Sequence, residues 1–124
     1  MPGARAADPA AFLPLKPTAY LLLVALVERD CHAYALKKEA ARRTDGRLRL
    51  GPGTLHRSLA RLRDDGLIEE SPDRPAPARD DERRRYYRLT PLGRKVALAE
   101  TDRLSDLIAT VRGVRWARPG RAAR

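Results

Sequence analysis

The amino-acid sequence predicts a mainly α fold of the α+β class, with three helices and a two-stranded β-hairpin over residues 13–90 and one long helix over residues 91–115. Three observations support this. Apolar residues recur at helical spacing in three successive segments. Two short strand-like segments follow, joined by a connection rich in proline and charge. A Thr-Pro pair then opens a last helical segment. Residues 1–12 and 116–124 lack periodicity and are predicted to be a disordered N-terminal arm and a disordered basic tail.

The first two predicted helices cover residues 17–29 and 33–43. The first begins at a proline, which suits a first helical turn, and it is apolar nearly all round. We therefore expect it to occupy the centre of the core. The second has only a narrow apolar stripe, formed by Ala33, Leu36 and Ala40, and a basic outer face.

The third predicted helix starts near Pro52 and ends before Gly66, a residue that suits the position just past a helix end. Leucines at helical spacing form its buried stripe. The opposite face carries hydroxyl and guanidinium groups, which can form hydrogen bonds with base edges in the major groove. These candidate DNA-binding residues are Thr54, Arg57, Ser58 and Arg61. The alternative is that they form an ordinary solvated helix face.

Two strands are predicted at residues 67–71 and 84–89, with a long connection between them. Three helices followed by a two-stranded wing is the winged helix-turn-helix arrangement, in which the wing contacts the DNA backbone or the minor groove. The candidate wing contacts are Arg79, Arg83, Arg84 and Arg85. Neighbouring acidic residues could neutralise part of this charge, and some of the arginines could serve only to protect an edge strand.

The last predicted helix is longer than the small domain before it can cover, at about 1.5 Å per residue. Its second half keeps an apolar stripe, which we expect to pack against a second copy of the chain. The candidate dimer-interface residues are Leu104, Leu107, Ile108 and Val111. The alternative is that they pack back on their own domain.

Composition narrows the class of function. The 124 residues contain 26 Lys+Arg and 16 Asp+Glu, a formal net charge of +10, which favours a polyanionic partner. A single cysteine and two histidines give no recognisable metal site, cofactor site or catalytic grouping, so we expect neither a metal nor a cofactor nor an enzyme. No apolar run is long enough for a membrane helix, and a cytoplasmic location is expected.

Four motifs, in order, resemble those of the PadR-type winged helix-turn-helix transcriptional regulators. They are His32-Ala33-Tyr34-Ala35-Leu36; Gly53-Thr54-Leu55 with the leucines that follow it; Asp65-Gly66-Leu67-Ile68; and Arg84-Arg85-Tyr86-Tyr87-Arg88-Leu89-Thr90-Pro91-Leu92-Gly93. The sequence departs from the family pattern at Ala33, His56 and Arg57, where the family has Gly, Tyr and often Pro.

The resemblance implies a homodimer formed through the C-terminal helix and repression, which in the family is often relieved by a small-molecule effector. Together with the residue patterns, it predicts a sequence-specific regulator of double-stranded DNA, acting as a repressor on a near-palindromic operator. The alternative hypothesis is a winged-helix adaptor whose basic surface binds an acidic protein or RNA.

Overall fold

The computed structural model describes residues 7–71 and 85–116, and these residues form four α-helices and a three-stranded sheet. In chain order the elements are a 3₁₀ helix at Pro9–Phe12, α1 at Pro17–Glu28, β1 at Cys31–His32, α2 at Ala33–Arg43, α3 at Pro52–Asp64, β2 at Ile68–Glu70, β3 at Tyr86–Leu89 and α4 at Pro91–Arg112. The predicted fold class is confirmed. None of the described helices combines the length and apolar character needed to cross a bilayer.

The core forms around α1, which contacts α2, α3, α4 and β3. Leu22 and Leu23 are completely buried, as are Leu36 of α2 and Val96 of α4. Burial of side chains of this size stabilises the fold by about 1.5–3 kcal/mol each. The prediction that α1 lies at the centre is therefore confirmed, although one side of α1 stays open, where Val27 is 40% exposed.

The sheet contains one strand more than the predicted hairpin. Its order is β1-β3-β2, and both pairings are antiparallel, with Cys31 opposite Tyr87 and Ile68 opposite Leu89. The two predicted wing strands are observed as β2 and β3, and the sheet adds β1, whose two residues are too few to show the alternation by which a strand is recognised. The wing is thus joined through β3 to the segment that leads directly into α2.

The start of α4 packs closely on the entry to β2. The Thr90 side chain caps α4 by accepting a hydrogen bond from the Gly93 N–H at 2.9 Å, as the Thr-Pro pair predicted. The Leu67 carbonyl accepts the Thr90 N–H at 3.1 Å. Gly66 has a φ of +79°, the left-handed conformation that lets the chain leave α3 and enter β2.

The N-terminal prediction needs correction. Residues 1–12 were expected to be disordered, yet Pro9–Phe12 form a 3₁₀ helix that contacts α4, and Phe12 packs against the core. A single turn capped by Asp8 has no periodicity for sequence reasoning to detect. Residues 1–6 of that arm lie outside the described part of the chain.

The C-terminal helix is shorter than predicted: α4 ends at Arg112, with Gly113 as its C-cap. Trp116 is 66% exposed, and its indole N–H donates to the Val111 carbonyl at 3.2 Å. Residues 117–124, the rest of the predicted tail, lie outside the described residues.

Candidate nucleic-acid interface

Helix α3 is fixed in the fold by one face and exposed on the other. Leu55, Leu59 and Leu62 are buried, as their spacing predicts. Their removal from water anchors the middle of the helix, since the three residues span two of its turns. The opposite face is therefore held in place by the core and stays accessible to a partner.

The four residues predicted to read DNA come together on or beside this outer face. Thr54, Arg57 and Arg61 are exposed, and Ser58 is half-buried. The Arg57 guanidinium donates to the Thr54 hydroxyl at 3.3 Å, and Arg61 Nε donates to a carboxylate oxygen of Asp65 at 3.3 Å. Exposed pairs of this kind contribute little to stability. Both guanidinium groups can therefore exchange these partners for base or phosphate groups.

One flank of α3 adjoins the N-terminus of α1. A shallow depression there is lined by the four predicted residues together with Lys16 and Thr18. Sequence reasoning did not assign Lys16 to the interface. It lies at the N-cap position of α1, and only the tertiary packing of α1 against α3 brings it beside Arg57 and Arg61.

The other flank of α3 forms one wall of an open cleft, which we call the α2–α3 cleft. It has a volume of about 510 Å³. Its lining residues come from the start of α2, from α3 and from the sheet: His32, Ala33, Tyr34, His56, Leu59, Ala60, Arg63, Arg85 and Tyr87. Among the predicted wing contacts, Arg85 therefore lies beside α3. Tyr34, His56 and Arg63 were not predicted as site residues.

Two acidic residues of β2 sit beside the basic groups of the wing base. One carboxylate oxygen of Glu70 lies 3.3 Å from Arg85 Nη1 and 4.0 Å from Arg63 Nη1. Glu69 pairs with Arg88 at 2.8 Å. All of these side chains are at least two-fifths exposed, so the pairs are weak in water.

The remaining predicted wing residues, Arg79, Arg83 and Arg84, lie outside the described residues, so their contact with DNA stays a prediction. The described part of the wing ends where this segment begins. Ser71 N–H donates to the Tyr86 carbonyl at 2.7 Å, which extends the pairing of β2 and β3 up to the start of that segment.

The predicted dimer residues lie on the second half of α4. Leu107 and Ile108 are about half exposed, and Leu104 and Val111 are partly buried. Closer to the domain, α1 and α4 border a groove of about 380 Å³ with a mainly apolar lining, formed by Tyr20, Val24, Val27, Glu28, Arg94, Ala97, Leu98 and Thr101. Within the described residues, apolar side chains are thus exposed both at this groove and on the second half of α4.

A buried carboxylate holds the N-terminal segment onto α4. Glu100 is 1% exposed, and it accepts hydrogen bonds from the Arg103 guanidinium at 2.6 and 2.9 Å and from the Leu15 N–H at 3.1 Å. The Arg103 guanidinium, helped by the Leu15 N–H, holds the pKa of the Glu100 carboxyl below its usual range, although burial acts in the opposite direction. The segment it anchors runs on to Lys16, at the edge of the outer face of α3.

Comparison with known proteins agrees with this geometry. Residues 22–99 match the model of the transcriptional regulator PadR-like family. A transcriptional regulator from Clostridium thermocellum is 26% identical, with 79% of this chain and 90% of that chain covered and a TM-score of 0.63. A probable transcriptional regulator from Pseudomonas aeruginosa is 25% identical, with 86% and 73% covered and a TM-score of 0.62.

A PadR-like transcriptional regulator from Bacillus cereus shares the fold, with a TM-score of 0.67, 17% identity, and 81% and 92% of the two chains covered. None of the curated proteins matches the chain.

Proposed function

Because the chain belongs to the PadR-like family of transcriptional regulators, we propose that it reads a specific DNA sequence and represses transcription as a homodimer. The family establishes the coarser statement, a DNA-binding transcription regulator. Sequence reading, repression, the dimer and an effector are the parts that we propose.

The observation that carries sequence reading is the outer face of α3. The helix is anchored by buried leucines, and it presents Thr54, Arg57 and Arg61 to solvent. An α-helix fits the major groove, where arginine can form two hydrogen bonds with guanine and hydroxyl groups can contact several bases. A rigid rod with these groups on its free face is suited to that task.

The uncovered surface of α1 and α4 supports the homodimer. Leu107 and Ile108 are adjacent and each about half exposed on α4, and Leu98 is exposed on the same helix at the α1–α4 groove; exposed apolar residues that group together mark interaction sites. We propose that α4 of a second copy covers this surface. Two α3 helices related by a two-fold axis would then meet half-sites about 10 base pairs apart, or a multiple of that, in a near-palindromic operator.

A cavity beneath the N-terminal segment supports the effector part of the proposal. It has a volume of about 460 Å³ and lies between that segment, α1 and the end of α3, with Phe12, Leu15, Arg61 and Asp65 among its lining residues. A small molecule bound there would touch Arg61, one of the proposed reading residues. Such a molecule would therefore change the position or the charge of the reading face.

The test is fluorescence anisotropy at several salt concentrations with three labelled probes: duplex from upstream of the protein's own gene, a shuffled duplex of the same length, and single-stranded RNA. Specific regulators prefer their site by about a thousandfold or more. We expect a preference of that order for the upstream duplex. In a reporter strain, deletion of the protein should raise expression from that promoter.

Equal and steeply salt-dependent binding to all three probes would contradict the proposal, because it would show that only net charge acts. The adaptor hypothesis would then be favoured. If deletion lowered reporter expression instead, the protein would be an activator and not a repressor. The proposal that it binds a specific DNA sequence would still stand.

A further inference from the structure

The cavity beneath the N-terminal segment has walls that are mostly apolar. Phe12 and Leu15 of that segment line it together with Leu62 of α3 and Leu67 at the entry to β2. Its volume of about 460 Å³ is that of a small-molecule site, since such sites usually measure about 300–1,000 Å³. The apolar ring or chain of a small ligand would leave water on entering it, which favours binding.

The charged groups that line this cavity are two cations and one anion. Arg61 and Asp65 pair at 3.3 Å, so their charges offset each other. Lys16 is exposed, and within residues 7–71 and 85–116 no hydrogen bond or ion pair engages its ammonium group. The Arg61 guanidinium is also available, because its exposed pair with Asp65 is weak. A ligand with a single negative charge therefore complements this lining.

The same two cations belong to the surface proposed to read DNA. Lys16 and Arg61 line the cavity, and both also line the shallow depression that contains Thr54, Arg57 and Ser58. A guanidinium or ammonium group that pairs with a ligand from the cavity side is not free to bind DNA. The ligand's negative charge would also repel the phosphates of an approaching duplex.

The segment that covers the cavity is held by contacts outside it. The Leu15 N–H donates to the Glu100 carboxylate at 3.1 Å, and the 3₁₀ helix at Pro9–Phe12 contacts α4. Residues of α4 are not among those that line the cavity. The cover is thus in place before a ligand enters, and a site formed in advance binds with a smaller loss of conformational entropy.

We propose that this cavity binds a small amphipathic anion, and that this ligand and DNA exclude each other. The apolar part of the ligand lies against Phe12 and Leu15, and its one acidic group pairs with Lys16 and Arg61. The inference rests on the proposed function as a DNA-binding regulator, to which it adds the chemistry of the effector and the way it acts. By linkage, DNA weakens binding of the anion by the same factor as the anion weakens binding of DNA.

The first experiment uses two fluorescent probes that differ in charge. Anilinonaphthalenesulfonate has an aromatic body and one sulfonate, and phenylnaphthylamine has the same aromatic body without the sulfonate. Wild type should bind the sulfonate probe more tightly. Lys16→Gln should weaken binding of the sulfonate probe by about three- to fivefold, the effect of one exposed ion pair, and leave the affinity for the neutral probe unchanged. Because Lys16 is exposed, circular dichroism should show the fold of this variant intact.

Arg94→Gln is the matched control. Arg94 is an exposed cation that lines the other mainly apolar space, the groove between α1 and α4. Its replacement should leave the affinity for the sulfonate probe unchanged. If Arg94→Gln weakens the sulfonate probe and Lys16→Gln does not, the probe binds in that groove and the inference is overturned. Equal affinities of wild type and Lys16→Gln for the sulfonate probe would overturn it as well.

The second experiment measures exclusion. Wild type is titrated against the upstream duplex, labelled with a red-emitting dye, in the presence of saturating sulfonate probe, of neutral probe, or of neither. We expect the sulfonate probe to weaken DNA binding several-fold and the neutral probe to have no effect. Unchanged DNA affinity with the sulfonate probe would overturn the exclusion and leave the DNA-binding function standing. Failure to bind the duplex without any probe would instead contradict the proposed function, while the probe titrations would still test the cavity.

Discussion

Replacing Gly93 by alanine should weaken the fold, although alanine normally favours a helix. Gly93 lies in the first turn of α4, and a Cβ placed there would stand 2.9 Å from the Leu67 carbonyl carbon and closer still to its oxygen. Carbon atoms at an ordinary contact are about 3.5–4.0 Å apart. The first turn of α4 would therefore have to move away from the entry to β2 by roughly 1 Å or more.

The cost follows from what that movement disturbs. Overpacking against rigid backbone costs about 1–3 kcal/mol. The hydrogen bond from the Thr90 N–H to the Leu67 carbonyl, worth about 0.5–1.5 kcal/mol, would also be strained. Alanine makes the unfolded chain less flexible than glycine does, and this offsets about 0.4–1 kcal/mol of the loss in stability. We expect a net loss of about 2–3 kcal/mol, or roughly 8–12 °C in Tm for a chain of this size.

Thermal and urea unfolding followed by circular dichroism would measure this loss, at one fixed protein concentration because a dimer's stability depends on it. Gly113→Ala is the matched control: its φ is −84°, and its nearest neighbour, the Thr110 carbonyl oxygen, would be 3.6 Å away, an ordinary contact. That variant should stay within about 0.5 kcal/mol of wild type. Equal stabilities for the two variants would refute the close backbone approach.

Three other changes test separate parts of the structure. Glu100→Ala leaves the partly buried Leu15 N–H without its acceptor and should lower the free energy of unfolding by about 1–3 kcal/mol in urea titrations. Because hydrogen bonds from Arg103 and the Leu15 N–H lower the pKa of Glu100 in the fold, its contribution is present at neutral pH and lost as the pH falls below the usual range for Glu. The stability gap between wild type and variant should therefore close in acid, and a constant gap would contradict this. Leu107→Glu should give monomers by light scattering, whereas an unchanged dimer mass would place the interface elsewhere. Arg61→Ala should weaken binding to the upstream duplex more than to shuffled DNA; equal losses would identify a phosphate contact.

Helices were predicted well because apolar spacing reports burial over several turns. The bounds predicted for α2 are those observed, and the leucine stripe of α3 is buried as expected. The starts of α1 and α4 were also predictable, since proline at a first helical position and the Thr90 cap act through local chemistry.

Features that depend on distant segments were not predictable. From the sequence alone, Glu100 would be assigned to the exposed face of a helix. Only the fold brings the Leu15 N–H, 85 positions away, to its carboxylate. The α2–α3 cleft is a similar case. Periodicity places His56 and Arg63 outside the leucine stripe, but it cannot say that α2 and β3 will stand on either side of them.

The position of β3 between β1 and β2 has a thermodynamic consequence for docking on DNA. Backbone hydrogen bonds join β3 to the wing base on one side and to the start of α2 on the other. An isolated two-stranded hairpin is marginally stable, and its strands can separate and re-form. Pairing with a third strand restricts this motion at the base of the wing. The spacing between the wing base and α3 is therefore established in the free protein. Association then costs little conformational entropy at this point, and amides in β3 should exchange with solvent among the slowest in the chain.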